Sequence, residues 1–150
     1  VTMQKGTLFL NKRGYLGLQV PNSLAMGVFF SLAEPGLILP KYGEDRFNAF
    51  LSVMLPEEVQ TVGADNINER GKQFEFEIGP VDKFHPQGSD SKYAEYYFIQ
   101  CSSTELAKLR RTYGLESQPP GGFMIVCGVR PYNVYRNNGV SKLREVVRQN

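Results

Sequence analysis

The chain has 150 residues, of which 41% are hydrophobic and 21% charged, and these values are typical of one soluble globular domain rather than a disordered chain. The net charge of +2 is too small to indicate a nucleic-acid-binding protein by itself. No apolar run approaches the roughly 18 residues that a membrane helix needs, and the first residues do not resemble a signal peptide. We therefore expect no membrane partner.

The content of histidine and cysteine limits the possible metal chemistry. One histidine, His85, and two cysteines, Cys101 and Cys127, cannot form a zinc site of the usual kind or a disulfide framework. Both cysteines lie in apolar, strand-like segments, which predicts buried, reduced thiols in a cytosol-type compartment. We expect no metal and no cofactor.

Basic residues are concentrated at the C-terminal end. Residues 130–150 carry five basic groups against one acidic group, a local charge of +4, so the other 129 residues sum to −2. Such a stretch can contact phosphates or an acidic protein, although a solvated tail or helix face also explains it. We predict one domain at 1–130 and a basic C-terminal extension at 131–150.

Short segments in which apolar and polar residues alternate, or which are apolar throughout, predict strands, and apolar residues at helical spacing predict helices. In the first half, the elements are strands at 7–10 and 15–20 around a turn at 12–14, a helix from 24 to 32, a strand at 50–54 and a helix starting at 56. The residues 21–23 provide a break and an N-cap before the first helix. Glu57 and Glu58, in the first turn of the second helix, are explained as partners of its positive dipole end rather than as a catalytic pair.

The second half repeats part of this order. Its residue pattern predicts strands at 73–78, 93–101 and 123–129, with a polar turn at 85–90. It also predicts a helix that runs from a Ser102-x-x-Glu105 capping box to residue 113, and an amphipathic segment at 140–147. The aromatic run at 93–98 indicates core packing by alternate members, with a base-stacking surface as the alternative. The basic residues Lys108, Arg110 and Arg111 match the negative dipole end of the helix. With no βαβ regularity, the fold class is α+β.

Four separated segments carry a resemblance to a known family. They are residues 14–22 (Gly-Tyr-Leu-Gly-Leu-Gln-Val-Pro-Asn), 50–59, 103–115 and 123–130. In this order they resemble the two-histidine (2H) phosphoesterase-like family, in which 50–54 and 123–130 correspond to the two motif strands. The resemblance implies a bilobal α+β fold, with two antiparallel sheets around a central cleft and flanking helices.

The family's chemistry needs a histidine and a hydroxyl on each motif strand. One histidine acts as general base and the other as general acid on a phosphodiester, while the hydroxyls hold phosphate oxygens. Here the first pair of positions holds Phe50 and Ser52, and the second holds Met124 and Val126. Each lost general acid or base removes roughly 10²–10⁴ in rate. Because both histidine positions hold residues that cannot transfer protons, we predict no enzyme activity. His85 lies in a turn that we expect to be distant from both strands, so it does not replace them.

Two functions remain open. The first is a catalytically inactive 2H-like domain that acts as a structural or protein-interaction module, with a protein partner or a second copy of itself. For this function the resemblance implies a phage structural or accessory protein, located in the bacterial cytoplasm or the virion. The second is a module that binds a nucleotide or RNA end without cleaving it, with Ser52 and Arg130 as the candidate anion contacts. A cyclic phosphodiesterase with relocated catalytic groups is a further alternative.

Overall fold

The computed structural model describes residues 3–40, 47–86 and 93–132, and in these ranges the chain is a mixed α+β structure. The predicted segment at 140–147 and all of the extension beyond Tyr132 lie outside the described residues. No helix in the described ranges is long and apolar enough to cross a membrane. The elements are β1 (Met3–Leu10), β2 (Leu16–Gln19), α1 (Asn22–Leu32), β3 (Phe50–Met54), α2 (Pro56–Val62), a 3₁₀ turn (Ala64–Asn66), β4 (Gln73–Phe84), β5 (Glu95–Ser102), α3 (Thr104–Thr112) and β6 (Phe123–Arg130).

The six described strands form one closed antiparallel barrel in the order β1-β2-β3-β6-β5-β4. The two sheets that the 2H resemblance implies are therefore not separate, and the bilobal arrangement is not confirmed. The physical reason is the pairing of β1 with β4, from Met3↔Glu77 to Thr7↔Gln73, which joins the two halves of the chain into one sheet. The pairing of β3 with β6 at Leu51↔Ile125 then closes it.

The barrel consists of two units with the same order of elements. The first is β1-β2-α1-β3 and the second is β4-β5-α3-β6, which confirms the repeated strand–helix–strand order at 15–54 and 95–129. The last strand of each unit meets the other at the closing pair Leu51↔Ile125. The two strands of the 2H resemblance are therefore neighbours, as predicted.

The N-cap of α1 is Pro21, within the predicted 21–23, but it has no side-chain cap. The Asn22 side chain instead accepts from the Ala49 N–H at 2.7 Å. The predicted cap of the third helix is placed differently. At α3 the cap is Ser103, not Ser102, because β5 continues through Ser102. The Ser103 hydroxyl accepts from the Leu106 N–H at 3.0 Å and donates to the Glu75 carbonyl at 2.6 Å, so it also ties α3 to β4.

Strand β4 is longer than predicted, and it extends to Phe84. Gly79-Pro80 looks like the end of a strand in the sequence, since proline cannot donate to a ladder. In the structure the register between β4 and β5 shifts between Ile78 and Val81, and the pairing then continues to Phe84↔Tyr96. An irregularity of this kind accommodates a proline without ending the strand.

The two thiols belong to the barrel core, as predicted. Cys101 and Cys127 are free and buried, and burial raises the pKa of Cys101 to about 12 and of Cys127 to about 11. Because the thiolate is the reactive form, we expect a disulfide reagent at pH 8 to modify neither cysteine in the folded protein. Both should react once denaturant unfolds the chain and returns the pKa to its ordinary range. Rapid stoichiometric labelling without denaturant would contradict this.

Candidate functional site

A cleft of about 310 Å³ lies over the junction of β3 and β6. The four motif positions, Phe50, Ser52, Met124 and Val126, all line it. Strand alternation explains this, since the residues between them are buried in the barrel and successive side chains point to opposite faces. The other described lining residues are Arg13, Tyr15, Pro40, Phe47, Asn48, Leu55, Phe84, Pro86, Tyr96, Pro119, Pro120 and Gly122.

Aromatic rings stand on both sides of the motif positions. On the β2–β3 side, Tyr15 packs edge-on against Phe50, with ring centroids 5.7 Å apart. On the β5–β4 side, Phe84 stacks on Tyr96, with centroids 5.1 Å apart and planes 7° from parallel. The strand order β2-β3-β6-β5-β4 separates the Tyr15–Phe50 pair from the Phe84–Tyr96 pair by the width of β6. The cleft therefore has an aromatic wall on each side.

The described part of the cleft lining carries little charge. Among its described lining residues Arg13 is the one charged side chain, and its guanidinium carbon lies 4.8 Å from the centre of the Tyr15 ring. The sequence predicts a turn at 12–14 but does not single out Arg13 or Tyr15, because an arginine beside an aromatic residue in a hairpin is too common to be a signal. Phe84 is not singled out either, since the sequence predicts that β4 ends at 78.

Arg130, a candidate anion contact, is not among the residues that line the cleft. Its Nε donates to Glu95 Oε1 at 2.9 Å, its Nη2 donates to Glu34 Oε1 at 3.2 Å, and its Nη1 donates to the Pro35 carbonyl. Arg130 lies four positions along the strand from Val126, roughly 13 Å at the usual rise. The structure therefore does not bring Ser52 and Arg130 together, and the role of each in anion binding stays a prediction.

His85 is not among the described residues that line the cleft, although its neighbours Phe84 and Pro86 both line it. The imidazole itself faces Glu95, with Nε2 3.2 Å from Oε2. The carboxylate of Glu95 is only 4% exposed and also contacts Arg130. His85 thus belongs to a charged cluster beside the cleft.

Arg110 and Glu58, which the sequence analysis explained by helix dipoles, form an ion pair in which the arginine is fully buried. Arg110 is 1% exposed and makes a bidentate contact with Glu58, at 2.8 and 2.7 Å. Its remaining donors bind the carbonyls of Val53, Glu116 and Gln118. The hydrogen bond from Arg110 is the main reason that the pKa of Glu58 lies below its usual value. Arg110 therefore joins α3 to α2 and to β3.

The same contacts position one rim of the cleft. The carbonyls of Glu116 and Gln118, both bound by Arg110, lie in the segment that leads to Pro119 and Pro120. Both prolines line the cleft. This arrangement was not predictable from the sequence, since it depends on carbonyl groups whose positions no side-chain pattern encodes.

No protein-family model, curated protein or solved structure matches this chain. Among the described residues no group of three or more His, Cys, Asp or Glu side chains could hold a metal ion. The resemblance to the 2H family is therefore a sequence-based expectation that rests on the four segments quoted above.

Proposed function

We propose that the chain is a catalytically inactive relative of the 2H phosphoesterases that serves as a protein-interaction module, with the cleft as its binding site. The observation that carries this is the meeting of Phe50, Met124 and Val126 in one cleft. These side chains stand where the family has two histidines and a hydroxyl. They offer apolar contact surface in place of proton transfer and phosphate binding.

The lining argues against relocated catalysis as well. The described lining residues contain no histidine, carboxylate or thiol. His85, the single imidazole of the chain, is directed to Glu95 instead. Acid–base catalysis needs a titratable group within hydrogen-bond reach of the reacting atoms.

A nucleotide or RNA end is the second candidate ligand, and the stacked Phe84–Tyr96 pair with Arg13 favours it, since bases stack on such rings. The phosphate is the difficulty. In the family's position it would contact Phe50, Met124 and Val126, and of the four motif side chains Ser52 alone could donate a hydrogen bond to replace the lost hydration. A protein segment that presents apolar groups avoids this cost, so we favour a protein partner or a second copy. A phage structural or accessory role, in the virion or the bacterial cytoplasm, is the setting that we propose.

The test is a combined activity and binding assay on the full chain. We expect no hydrolysis of 2′,3′-cyclic nucleotides or 2′–5′-linked RNA above the buffer control, because each missing proton-transfer group costs roughly 10²–10⁴ in rate. We also expect no saturable binding of mononucleotides or short RNA at low or moderate salt.

Four variants make this test specific. Turnover that disappears in His85→Ala would indicate relocated catalysis and contradict the proposal. Saturable nucleotide binding that is lost in Ser52→Ala, Arg13→Gln or Arg130→Ala would instead establish the nucleotide-binding alternative.

A further inference from the structure

We propose that the outer face of α1, formed by Met26, Gly27 and Phe30, is a docking surface for the chain's own amphipathic segment at 140–147. No residue of α1 is among the described residues that line the cleft. The inference therefore goes beyond the proposed function and does not depend on it.

Helix α1 is apolar on the side that faces the barrel and also on the side that faces away from it. Leu24, Val28 and Leu32 pack against the core, whereas Met26 and Phe30, one turn apart, lie on the other side. Phe30 is 66% exposed, and α1 contains no charged residue. Because a helix that is apolar all round is normally covered on both sides, the outer face has the properties of a contact surface.

The equivalent helix of the second unit shows that the fold does not impose this composition. Helix α3 has the same place in the order of elements, and its exposed positions include Glu105, Lys108 and Arg111. Charged side chains of this kind are typical of a helix face that stays in water. The exposed positions of α1 hold Phe30, Gly27 and small polar residues instead.

The described part of the chain ends close to this face. Helix α1 packs against β6, and Arg130, the last residue of β6, contacts Glu34 at 3.2 Å. Phe30 lies four positions before Glu34, so their Cα atoms are at most about 14 Å apart. Tyr132, two positions after Arg130, is the last described residue. The segment that follows therefore starts near the end of α1.

The apolar residues of 140–147 match this face, and the tether is long enough to reach it. Val140, Leu143 and Val147 repeat at helical spacing, so the pattern places them on one side of a helix. A short helix gains most of its stability from packing such a side against an apolar surface. The intervening residues 133–139 can span up to about 23 Å when extended.

The charges of the two elements are also complementary. The last turn of α1 contains no basic residue, although cations stabilise the negative end of a helix dipole. The segment and its end supply Lys142, Arg144 and Arg148. These cations favour a position near the C-terminal end of α1.

A second copy of the chain fits this face less well than the tethered segment. Helix α1 has 11 residues, so its outer face is a strip of about 16 by 10 Å. A stable interface between two proteins buries about 800 Å² on each partner. A tethered segment needs less area, because the covalent link keeps it at a high effective concentration.

The test uses nuclear magnetic resonance of the full, isotope-labelled chain with a nitroxide on Ser31→Cys, at the exposed margin of the outer face. The native thiols of Cys101 and Cys127 are buried, so the nitroxide attaches to the introduced thiol. Because a nitroxide broadens the signals of nearby nuclei, we expect the amide signals of 140–147 to lose most of their intensity. A nitroxide on Arg111→Cys, in α3, is the matched control and should leave these signals largely unchanged.

Substitutions on each side of the contact assign it. In the Ser31→Cys chain with its nitroxide, Leu143→Asp and Phe30→Ser should each restore most of the lost intensity, since each removes an apolar anchor. Ser141→Asp introduces the same acidic side chain on another side of the segment, and Met3→Ser removes an apolar side chain of β1 that is 52% exposed. Both controls should keep the loss, and unchanged signals from the barrel should show that every variant is folded.

A mixing experiment distinguishes the tethered segment from a second copy. A chain with the nitroxide but no isotope is mixed with an isotope-labelled chain that carries no nitroxide. Loss of the 140–147 signals in this mixture would show that one copy contacts another, and it would overturn the inference.

Three other results would also overturn the inference. They are no loss with the nitroxide on Ser31→Cys, an equal loss with the nitroxide on Arg111→Cys, and a loss that neither Leu143→Asp nor Phe30→Ser reverses. None of the substituted residues that the structure describes lines the cleft. Each of these results therefore leaves the proposed function standing.

Discussion

Replacing Arg110 with methionine is expected to lower the free energy of unfolding by about 3–5 kcal/mol, the usual cost of breaking a buried ion pair. The side chain is 1% exposed, so its loss leaves three carbonyl groups without the donor that Arg110 supplies, and it leaves the Glu58 carboxylate with the Leu55 N–H as its remaining described donor. Chemical denaturation of both proteins measures the difference. The exposed neighbour Arg111 provides the control, and Arg111→Met should change the stability by less than about 0.5 kcal/mol.

The pH dependence of this difference follows from the pKa of Glu58. Its usual value is 4.5, and the hydrogen bond from Arg110 lowers it in the folded protein. The stabilisation is therefore fully present above the pKa of the unfolded chain and is lost as the pH falls through the lower folded pKa. The difference in the free energy of unfolding between the unsubstituted chain and Arg110→Met should be constant near neutral pH and become smaller on acidification. A difference that does not change down to pH 2 would show that the Arg110–Glu58 pair does not cause the loss of stability.

Replacing Arg130 with methionine is expected to destabilise the fold by about 3 kcal/mol. The reason is the same, since it leaves Glu95, which is 4% exposed, without its closest cation. The loss should be smaller than for Arg110, because His85 and Lys83 still contact the Glu95 carboxylate, at 3.2 and 3.9 Å.

Lys83→Met is the matched control for that experiment. The Lys83 side chain is 54% exposed, so its pair with Glu95 is screened by water and its loss should cost less than about 1 kcal/mol. Unchanged stability in Arg130→Met would show that the contacts of Arg130 with Glu95 and Glu34 contribute little, and it would strengthen Arg130 as a ligand contact. The experiment thus decides how any loss of binding in an Arg130 variant is to be interpreted.

Local patterns in the sequence predicted most of the helices and strands, and they predicted that the four motif residues lie in one cleft. The strand at 50–54, the helix after Pro56, and the neighbouring position of the two motif strands were all predicted correctly. These features depend on alternation, turn residues and the order of segments, which a sequence carries directly. Since Phe50, Ser52, Met124 and Val126 alternate with core residues, their common face also followed from the pattern.

The tertiary structure alone decided the closure of the barrel, the extent of β4 and the partners of the buried charges. Pairing of β1 with β4 joins residues about 70 positions apart, and no local pattern specifies whether two half-sheets meet or stay separate. The sequence shows a proline at 80 but not the register shift that lets the strand pass it and bring Phe84 to Tyr96. Arg110 and Arg130 look like surface cations in the sequence, because burial and pairing depend on carboxylates and carbonyls that only the folded chain brings within hydrogen-bonding distance.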